Sequence, residues 1–385
     1  MTGLLRRAVP RGRRRRPLPF SNTCPLSLTG GFLSAPVCYL PPPIMPDGAA
    51  APRAGDAAAD GGGGGPGHAA AAAAGVTILS SVGEMVAARE RLPAGTRVGL
   101  VATMGALHGG HLELVRRSLA DTDVTIVTIY VNPLQFSATE DLGTYPRTVD
   151  DDVALLTPLL AAPADAGTPP PPHLLFTPTV AEMRPAGATT TVATAVGDAA
   201  ANPSSEGASR PHFFGGVATV VAALLHLTRP TVAFFGEKDA QQLAVVTALA
   251  RDLHFGTTIV GVPTVREADG VAASSRNVYL TAAGRAAAPA LYRSLVAARD
   301  AWAEAGETAA SALRAAVRRG VDAGTAASGG RVLYVSVADR WSMAEVDGAV
   351  RSAADVRATA PGGEVVVCVA VQLGAARLID NIVLR

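Results

Sequence analysis

Strand-like and helix-like segments alternate along residues 76–263, and this alternation limits the possible fold more than any other feature of the chain. Apolar runs typical of buried strands are TRVGLVATM at 96–104, DVTIVTIYV at 123–131, HLLFTP at 173–178, TVAFFGE at 231–237 and TTIVGVP at 257–263. Segments with helical spacing lie between and after them: HLELVRRSLA at 111–120, DDDVALLTPLL at 150–160, VATVVAALLHL at 217–227 and DAQQLAVVTALARDL at 239–253. Because this alternation is typical of right-handed βαβ units, it predicts a parallel sheet with helices on both faces.

The pattern changes after about residue 280. Two Ala-rich segments, roughly 282–304 and 307–322, predict helices. RVLYVSVAD and then EVVVCVAVQLGAARLIDNIVL predict strands, the last two joined by a turn at Gly374. The predicted fold class is therefore α/β, with a Rossmann-like parallel-sheet domain at 76–263 and a smaller C-terminal α+β domain at 264–385. The insertion APADAGTPPPP at 162–172 predicts a surface loop.

Residues 1–75 differ from the rest of the chain. They contain the basic stretch RRAVPRGRRRRP, the proline-rich PPPIMPDG and the low-complexity GGGGGPGHAAAAAAG, a composition that predicts a disordered extension. One explanation is an organelle transit peptide, which the arginines and the lack of acids before Asp47 favour. The alternatives are a disordered extension without a targeting role, or an in-frame stretch upstream of a true start near Met45. We expect a cytoplasmic protein, with a plastid or a mitochondrion as the alternative.

Charge and cysteine content argue against several classes of protein. Eight of the 33 basic residues precede residue 76, so the remainder carries 25 bases against 29 acids, a balance that does not favour nucleic-acid binding. No apolar run reaches the ~18 residues that a membrane-spanning helix needs. Cys24 and Cys38 lie in the extension and Cys368 lies in VVVCVAV, where we expect a small buried side chain. This pattern indicates neither a disulfide framework nor a metal cluster and suggests a reducing compartment.

The first of the predicted strands leads into TMGALHGGHLELV, which places His108 and His111 at the start of a helix. Small residues between the two histidines let a ligand approach the backbone, and a helix N-terminus offers unpaired N–H groups suited to phosphate. A metal site is the alternative for two histidines, but no third ligand is nearby in the sequence. Because ligands collect at the carboxyl ends of parallel strands, we expect a phosphate site here.

Polar residues also follow the second strand. NPLQF offers Asn132 and Gln135, uncharged groups that suit the hydroxyls and carboxylate of a small polar substrate, although a capped turn explains these residues about equally well. Asp150, Asp151 and Asp152 come next, at the predicted start of a helix. There, carboxylates either complement the helix dipole or hold Mg²⁺.

The strand at 231–237 ends in GEKDAQQL, whose Lys238 is the only lysine of the chain. A compact ammonium on a thin stem reaches phosphates where the planar guanidinium of arginine does not fit. The alternative is a solvated lysine between two acids. Further along, DGVAASSRN supplies Ser274, Ser275 and Arg276 on a loop that could neutralise bound phosphates, carried in by a mobile second domain as a lid. No G-x-x-x-x-G-K-[ST] occurs, which argues against a P-loop enzyme.

Taken together, these segments resemble a known family. HGGH is similar to the H-x-G-H signature of the nucleotidyltransferase superfamily that includes the class I aminoacyl-tRNA synthetases, and ASSRN occupies the place of its mobile KMSKS-type loop. More specifically, the order of seven segments resembles the pantothenate synthetase, or pantoate-beta-alanine ligase, family: TMGALHGGH, VNPLQF, DLGTYPRT, EGASRP, FFGEKDAQQL, VGVPTVREADGVAASSRNVYL and RLIDN. The resemblance runs from about residue 76 to the end.

The resemblance implies a function and a set of site residues. The family condenses pantoate with β-alanine, using ATP and Mg²⁺, through an enzyme-bound pantoyl adenylate, and releases pyrophosphate and then AMP. Catalytic roles are implied for His108, His111 and Lys238. The implied ATP site comprises Met104, Gly105, Ala106, Leu107, His108, Gly109, Gly110, His111, Gly236, Glu237, Lys238, Asp239, Val265, Ala273, Ser274, Ser275 and Arg276. Implied pantoate contacts are Asn132, Gln135, Arg210 and Gln242, and implied Mg²⁺ contacts are Asp151 and Asp152. The family is usually homodimeric.

Three positions depart from the family pattern. Gly109 replaces an acidic residue between the histidines, Ala273 replaces a larger apolar residue, and Phe213 stands at the usual histidine position of ASRPHFFGGV, with His212 one place early. Two other functions stay open. One is a related nucleotidyltransferase that stops after transferring AMP or CMP to a phosphate-bearing substrate, and the other is a nucleic-acid or scaffold protein that uses the arginine-rich extension and has a decayed catalytic domain.

Overall fold

A six-stranded sheet forms the first part of the fold in the computed structural model, which describes residues 71, 76–137, 141–161, 173–185, 192–197, 205–358 and 363–385. Its strands are Thr77–Leu79 (β1), Val98–Thr103 (β2), Val124–Ile129 (β3), Leu174–Phe176 (β4), Val232–Gly236 (β5) and Thr258–Val262 (β6). They pair in the order β1-β4-β3-β2-β5-β6, and every pair is parallel. The chain moves outward from β2 through β3 and then returns to place β5 on the other side of β2. The topological switch point therefore lies between β2 and β5, where open parallel sheets bind ligands.

Helices cover both faces of this sheet. They are Val82–Arg91 (α1), Gly109–Asp121 (α2), Val149–Leu160 (α3), Val180–Met183 (α4), Glu206–Ser209 (α5), Phe213–Thr228 (α6) and Ala240–Asp252 (α7). Successive residues of β2 enter different cores: Leu100 packs in a cluster with Leu224 of α6, whereas Val101 packs in a cluster with Val115 of α2 and Leu156 of α3. The period of two along a strand thus divides the near-continuous apolar run of β2 between two layers.

A smaller antiparallel sheet follows. Its strands Arg331–Asp339 (β7), Val365–Leu373 (β8) and Ala376–Leu384 (β9) pair in the order β7-β8-β9. Its helices are Ala282–Ala287 (α8), Pro289–Ala303 (α9), Ala310–Thr325 (α10) and Ala353–Ala358 (α11). The core of this part is built around Trp302, which is 1% exposed. Both sheets lie within one compact unit, Ala59–Arg385.

The two sheets confirm the predicted fold class. The turn between β8 and β9 is at Gly374, as predicted, and this residue has a φ of +60° that favours glycine. Cys368 is a buried free thiol, also as predicted. The first Ala-rich segment forms two helices rather than one, because α9 begins anew at Pro289. The extension at 1–75, apart from residue 71, and the insertion at 162–172 lie outside the described residues.

Two elements at the start of the sheet domain were not predicted. Strand β1 has only three residues and shows no clear alternation. Helix α1 begins with a capping box in which Ser81 accepts a hydrogen bond from Glu84 N, while the Glu84 carboxylate accepts one from Ser81 N. The S-x-x-E spacing of SVGE is a readable signal for this helix start. Among the described residues no helix is both long and apolar enough to cross a bilayer.

Candidate active site

A cavity of about 660 Å³ opens at the switch point of the parallel sheet. Met104 after β2 and Lys238 after β5 contribute to its wall, and so do Ser275 and Asn381 from the C-terminal part of the chain. Residues that the sequence places far apart therefore face one space. Its size falls within the range of small-molecule sites.

A buried carboxylate shapes the turn that leaves β2. Gly105 and Ala106 have φ values of +84° and +50°, so the backbone reverses sharply here. Asp152 of α3 accepts hydrogen bonds from Ala106 N at 2.9 Å and from Leu107 N at 2.8 Å. A Cβ on residue 105 would lie 2.9 Å from the Asp152 carboxylate, so glycine is required for this approach as well as for the positive φ.

This geometry corrects the predicted metal role of Asp152. Its side chain is 1% exposed, both carboxylate oxygens already accept amide N–H groups, and it does not line the cavity. Asp151 is exposed on the surface of α3 and does not line the cavity either. The described residues contain no group of three or more His, Cys, Asp and Glu side chains placed to hold a metal. Asp152 is a structural anchor for the turn.

The two histidines stand side by side at the start of α2. Their ring centroids are 4.1 Å apart, and both rings line the cavity. His108 is the N-cap residue, and its Nδ1 accepts a hydrogen bond from Gly110 N at 3.1 Å. The Nδ1 of His111 accepts one from His108 N at 3.4 Å. The imidazoles thus take the place that Ser or Asp oxygens occupy in ordinary capping boxes.

Burial determines the charge of both rings, and their hydrogen bonds determine the tautomer. Burial, followed by the nearby Lys238 ammonium, lowers the pKa of His108 to about 4. Burial, followed by His108, lowers the pKa of His111 to about 3. Both rings are therefore neutral at pH 7. Because each Nδ1 accepts a backbone N–H, the single proton of each neutral ring is on Nε2, which makes Nε2–H a hydrogen-bond donor for a ligand in the cavity.

The turn after β3 presents Gln135. Asn132 is 1% exposed, and both the nitrogen and the oxygen of its amide bind protein groups. Nδ2 donates to Gln135 Oε1 and to Gly216 O, both at 3.1 Å, and Oδ1 accepts from Leu134 N. Gln135 Oε1 is thereby engaged, so the Nε2 donors of Gln135 are the groups available to a ligand. Asn132 positions Gln135, and its Nδ2 donors are both engaged with protein groups.

Gly216 allows helix α6 to pack directly on this turn. A Cβ at position 216 would lie 2.3 Å from the carbonyl oxygen of Leu134. Arg210, at the entry to α6, donates to the backbone carbonyl of Gln135 at 3.1 Å, and its guanidinium lies 3.8 Å from the centre of the Phe213 ring. Phe213 lines the cavity, whereas His212 is exposed and does not. The departure from the family pattern therefore puts an aromatic ring, not an imidazole, in the cavity wall.

Lys238 lies on a short 3-10 turn, Glu237–Asp239, that follows β5. Its side chain is 19% exposed, lines the cavity and has its Nζ 3.5 Å from Asp239 Oδ1. Glu237 does not line the cavity, because its carboxylate pairs with Arg340 at 2.7 Å. Gln242, one turn into α7, does line it. The ATP contact of Glu237 therefore stays a prediction, and its carboxylate is engaged with Arg340.

The Ser-Ser-Arg segment begins a second 3-10 turn, Ser275–Tyr279, where Ser274 Oγ accepts from Arg276 N at 3.3 Å. Ala273 N donates to Val265 O at 2.9 Å, which holds this segment beside the glycines of α2. A Cβ on Gly109 would lie 3.8 Å from Val265, and one on Gly110 would lie 4.0 Å from Ala273. The HGGH turn and the Ser-Ser-Arg loop thus meet across small side chains.

Most of the predicted side chains share the cavity. Those that line it are Met104, His108, His111, Asn132, Gln135, Arg210, Lys238, Asp239, Gln242, Ser274, Ser275 and Arg276. Those that do not are Gly105, Ala106, Leu107, Gly109, Gly110, Gly236, Glu237, Val265, Ala273, Asp151 and Asp152. The second set shapes the backbone or packs behind the first set.

Several residues of the site were not predicted. Glu206 is 6% exposed, and Arg377 of β9 holds its carboxylate at 2.5 and 2.7 Å. Asp380, also on β9, pairs with Arg266 through two hydrogen bonds of 2.7 and 2.9 Å. The next residue, Asn381, contacts the turn that carries Lys238. The signal was present as charged and amide residues inside RLIDN, an otherwise apolar strand.

The chain is similar to known proteins over most of its length. A family model described as pantoate-beta-alanine ligase matches residues 77–383. A pantothenate synthetase from Roseiflexus castenholzii is 44% identical over 308 residues, which cover 80% of this chain and 99% of that protein. One from Anaeromyxobacter dehalogenans is 46% identical over 302 residues, covering 77% of this chain and 92% of that protein.

Solved structures show the same likeness. The crystal structure of pantothenate synthetase from Thermus thermophilus matches with a TM-score of 0.66 and 40% identity over 80% of this chain and 99% of that chain. A Francisella tularensis pantoate-beta-alanine ligase, complexed with beta-gamma ATP and beta-alanine, matches with a TM-score of 0.59 and 27% identity over 80% of this chain and 97% of that chain.

The neighbouring acids Asp152 and Asp151 provide a matched pair of substitutions. Asp152→Ala leaves the part-buried N–H groups of Ala106 and Leu107 without their acceptor, so we expect it to lower the free energy of unfolding by about 1–3 kcal/mol. Asp151→Ala removes an exposed carboxylate and should change stability by no more than about 0.5 kcal/mol. Urea denaturation of both variants checks this. Equal stability of the two variants would contradict the anchoring role of Asp152.

The neutral state of the histidines is open to a direct test. Because their folded pKa values lie below the unfolded value of about 6.5, the unfolded chain takes up protons first, and stability falls as the pH drops from about 6.5 towards 4. NMR of labelled imidazoles, assigned with His108→Gln and His111→Gln, should show Nε2 protonated and no titration of either ring above about pH 5. Urea-unfolded protein is the control, in which both rings titrate near 6.5. A folded-state midpoint near 6.5 for either ring would disprove this assignment.

Proposed function

The chain belongs to the pantoate-beta-alanine ligase family, and we propose that its cavity joins pantoate to β-alanine through a pantoyl adenylate, with ATP as co-substrate and with pyrophosphate and AMP as products. The observation that carries this proposal is the pair of backbone-anchored histidines at the switch point, which face one cavity together with Lys238 and Gln135. This arrangement gathers donors for phosphate and for a small carboxylate in one space.

The first step is adenylation. The pantoate carboxylate oxygen forms a bond to the α-phosphorus of ATP, and the bond from that phosphorus to the bridging oxygen breaks, so its electron pair leaves with pyrophosphate. Negative charge grows on the non-bridging and leaving oxygens, where fixed donors lower the barrier. We assign this stabilisation to the Nε2–H groups of His108 and His111 and to the ammonium of Lys238.

Neutral imidazoles suit this task. Protonation of Nδ1 would place its hydrogen against a backbone N–H that now donates to it, which opposes imidazolium formation even beside phosphates. Each ring therefore donates a hydrogen bond without becoming charged, and its direction is set before substrate binds. Preorganised donors of this kind are effective because they need no reorganisation during the reaction.

The second step is aminolysis. The amine nitrogen of β-alanine forms a bond to the acyl carbon, the bond from that carbon to the phosphate oxygen breaks, and AMP leaves with the electron pair while the nitrogen loses a proton. The Nε2 donors of Gln135 and the amide of Gln242 would hold the pantoyl group in place. A site enclosed by the Ser274–Arg276 loop would protect the acyl adenylate from water.

Magnesium stays a prediction. Asp152 does not fit a metal-ligand role because its carboxylate is buried and engaged with Ala106 and Leu107, and Asp151 alone offers one exposed carboxylate. Mg²⁺ commonly keeps several waters and is held chiefly by substrate phosphates. We derive no step of the reaction through a metal. The homodimer, the cytoplasmic location, the lack of a nucleic-acid partner and the division at residue 264 also stay predictions.

An omission assay tests the function. Purified protein should form pantothenate and AMP only when ATP, pantoate and β-alanine are all present, and leaving out any one of them should abolish AMP formation. A protein that makes no AMP with the complete mixture would refute the proposal. An end product that still carries the nucleotide would instead indicate a nucleotidyltransferase that stops after the first step.

The single lysine gives the sharpest test of the mechanism. Lys238→Arg keeps the charge but places a larger, planar guanidinium in a confined space, where the lysine side chain is only 19% exposed. We expect normal folding and a loss of adenylation of about 10²-fold, the usual effect of removing one fixed donor. Pantoate-dependent exchange of pyrophosphate into ATP measures that step. Arg116→Lys, at an exposed side chain of α2, is the control. Near-normal exchange by Lys238→Arg would contradict the assigned role.

A further inference from the structure

A side chain from the C-terminal sheet holds the turn that carries Lys238. The amide of Asn381, on β9, donates to the carbonyl oxygen of Glu237 at 2.9 Å and to that of Lys238 at 2.7 Å. Both hydrogens of one amide are thus spent on two successive carbonyls of the same 3-10 turn. These residues are more than 140 positions apart in the chain, so the contact is made only by the folded protein.

Asn381 is itself rigidly placed. It is 6% exposed and lies in the middle of β9, opposite Cys368 of β8. Its backbone N–H donates to Asp380 Oδ1 at 2.8 Å, and Asp380 is fixed by its two hydrogen bonds to Arg266. A side chain held in this way can fix the position of a neighbouring turn.

The two ion pairs that reach this turn from the C-terminal part of the chain act on a side chain and not on its backbone. Arg340 pairs with the carboxylate of Glu237 at 2.7 Å, and Arg385 lies 3.8 Å from the same carboxylate. Both contacts act on a side chain that does not line the cavity. Asn381 acts on the peptide groups of Glu237 and Lys238, and these peptide groups set the direction in which the Lys238 stem leaves the backbone.

We propose that Asn381 is a positioning residue for adenylation, which aims the Lys238 ammonium by clamping the two carbonyl groups of its turn. This inference rests on the proposed function. The clamp supplies neither charge nor a proton to the reaction. It keeps the ammonium where charge develops, and a misplacement of about 1 Å there can cost roughly 10² in rate.

A double-mutant cycle on exchange of labelled pyrophosphate into ATP tests the proposal. Asn381→Ala should lower the kcat of exchange by about 10–100-fold, with KM values for ATP and pantoate changed by less than about threefold. In a Lys238→Ala background the same substitution should cost less than about twofold, because the group that it positions is gone. A merely structural effect would lower exchange equally in both backgrounds.

The control is Ser336→Ala. Ser336 is fully buried in β7 of the same sheet and donates to Glu345 at 2.7 Å, so its loss disturbs the sheet without touching the Lys238 turn. We expect wild-type exchange from it. Thermal unfolding of each variant shows the cost in stability. If Asn381→Ala unfolds below the assay temperature, Asn381→Asp keeps the size and turns a carboxylate oxygen towards the two carbonyls, and it takes the place of Asn381→Ala in the cycle.

The outcomes separate this inference from the proposed function. Wild-type protein that shows no pantoate-dependent exchange refutes the proposed function. If wild-type protein shows exchange but the Asn381 variant is as active as Ser336→Ala, the positioning role alone is overturned. The same holds if the fold-losses of the Asn381 and Lys238 substitutions multiply in the double variant. Non-additive losses with KM values preserved support it.

Discussion

The site depends on one interaction, in which the buried carboxylate of Asp152 accepts hydrogen bonds from two backbone N–H groups. It holds the chain in the left-handed turn after β2, and this turn delivers His108 to the N-cap position of α2. From that position the imidazole can accept a backbone N–H, which fixes its tautomer and opposes the binding of a second proton. The buried carboxylate of Asp152 thus acts through the backbone of the turn to determine which imidazole nitrogen of His108 faces the cavity. Its burial raises the pKa of Asp152, and the amide donors from Leu107 and Ala106 oppose that shift.

The same device recurs around the cavity. Asn132 fixes Gln135, and Asn381 fixes the turn of Lys238, in each case through side-chain amides bound to protein groups rather than to substrate. Buried polar groups are expensive unless they are satisfied, so a fully satisfied amide defines one geometry and opposes others. The side chains that face the ligand are few, and the residues behind them set their direction.

Local patterns predicted the parts of the fold and site that depend on local spacing. The alternation of strands and helices predicted the parallel sheet, and the position of residues after strands predicted that His108, Lys238 and Gln135 share a space. The role of Asp152 was not readable, because an acid in the first turn of a helix has the same spacing whether it faces solvent, a metal or a backbone 45 residues away. The sequence places Asn381 in a strand but does not predict its contact with the turn of Lys238, which depends on the tertiary fold.

The ties between the two sheets limit how the C-terminal part can act as a lid. Asn381 holds the Lys238 turn, Arg377 holds Glu206, and Arg340 holds Glu237, all by contacts of 2.9 Å or less. A rigid movement of the small sheet away from the cavity would break these contacts together, separating Glu206 from Arg377 and Glu237 from Arg340. Each of these ion pairs is a charge-assisted hydrogen bond, so their joint loss opposes such a movement. In the segment from Ser274 to Tyr279, Ser274 accepts a hydrogen bond from Arg276 N, and Asn277 donates to Glu267 and to the carbonyl of Ala272. These contacts are local, so we predict that any closure over a bound nucleotide involves this segment and leaves the small sheet in place.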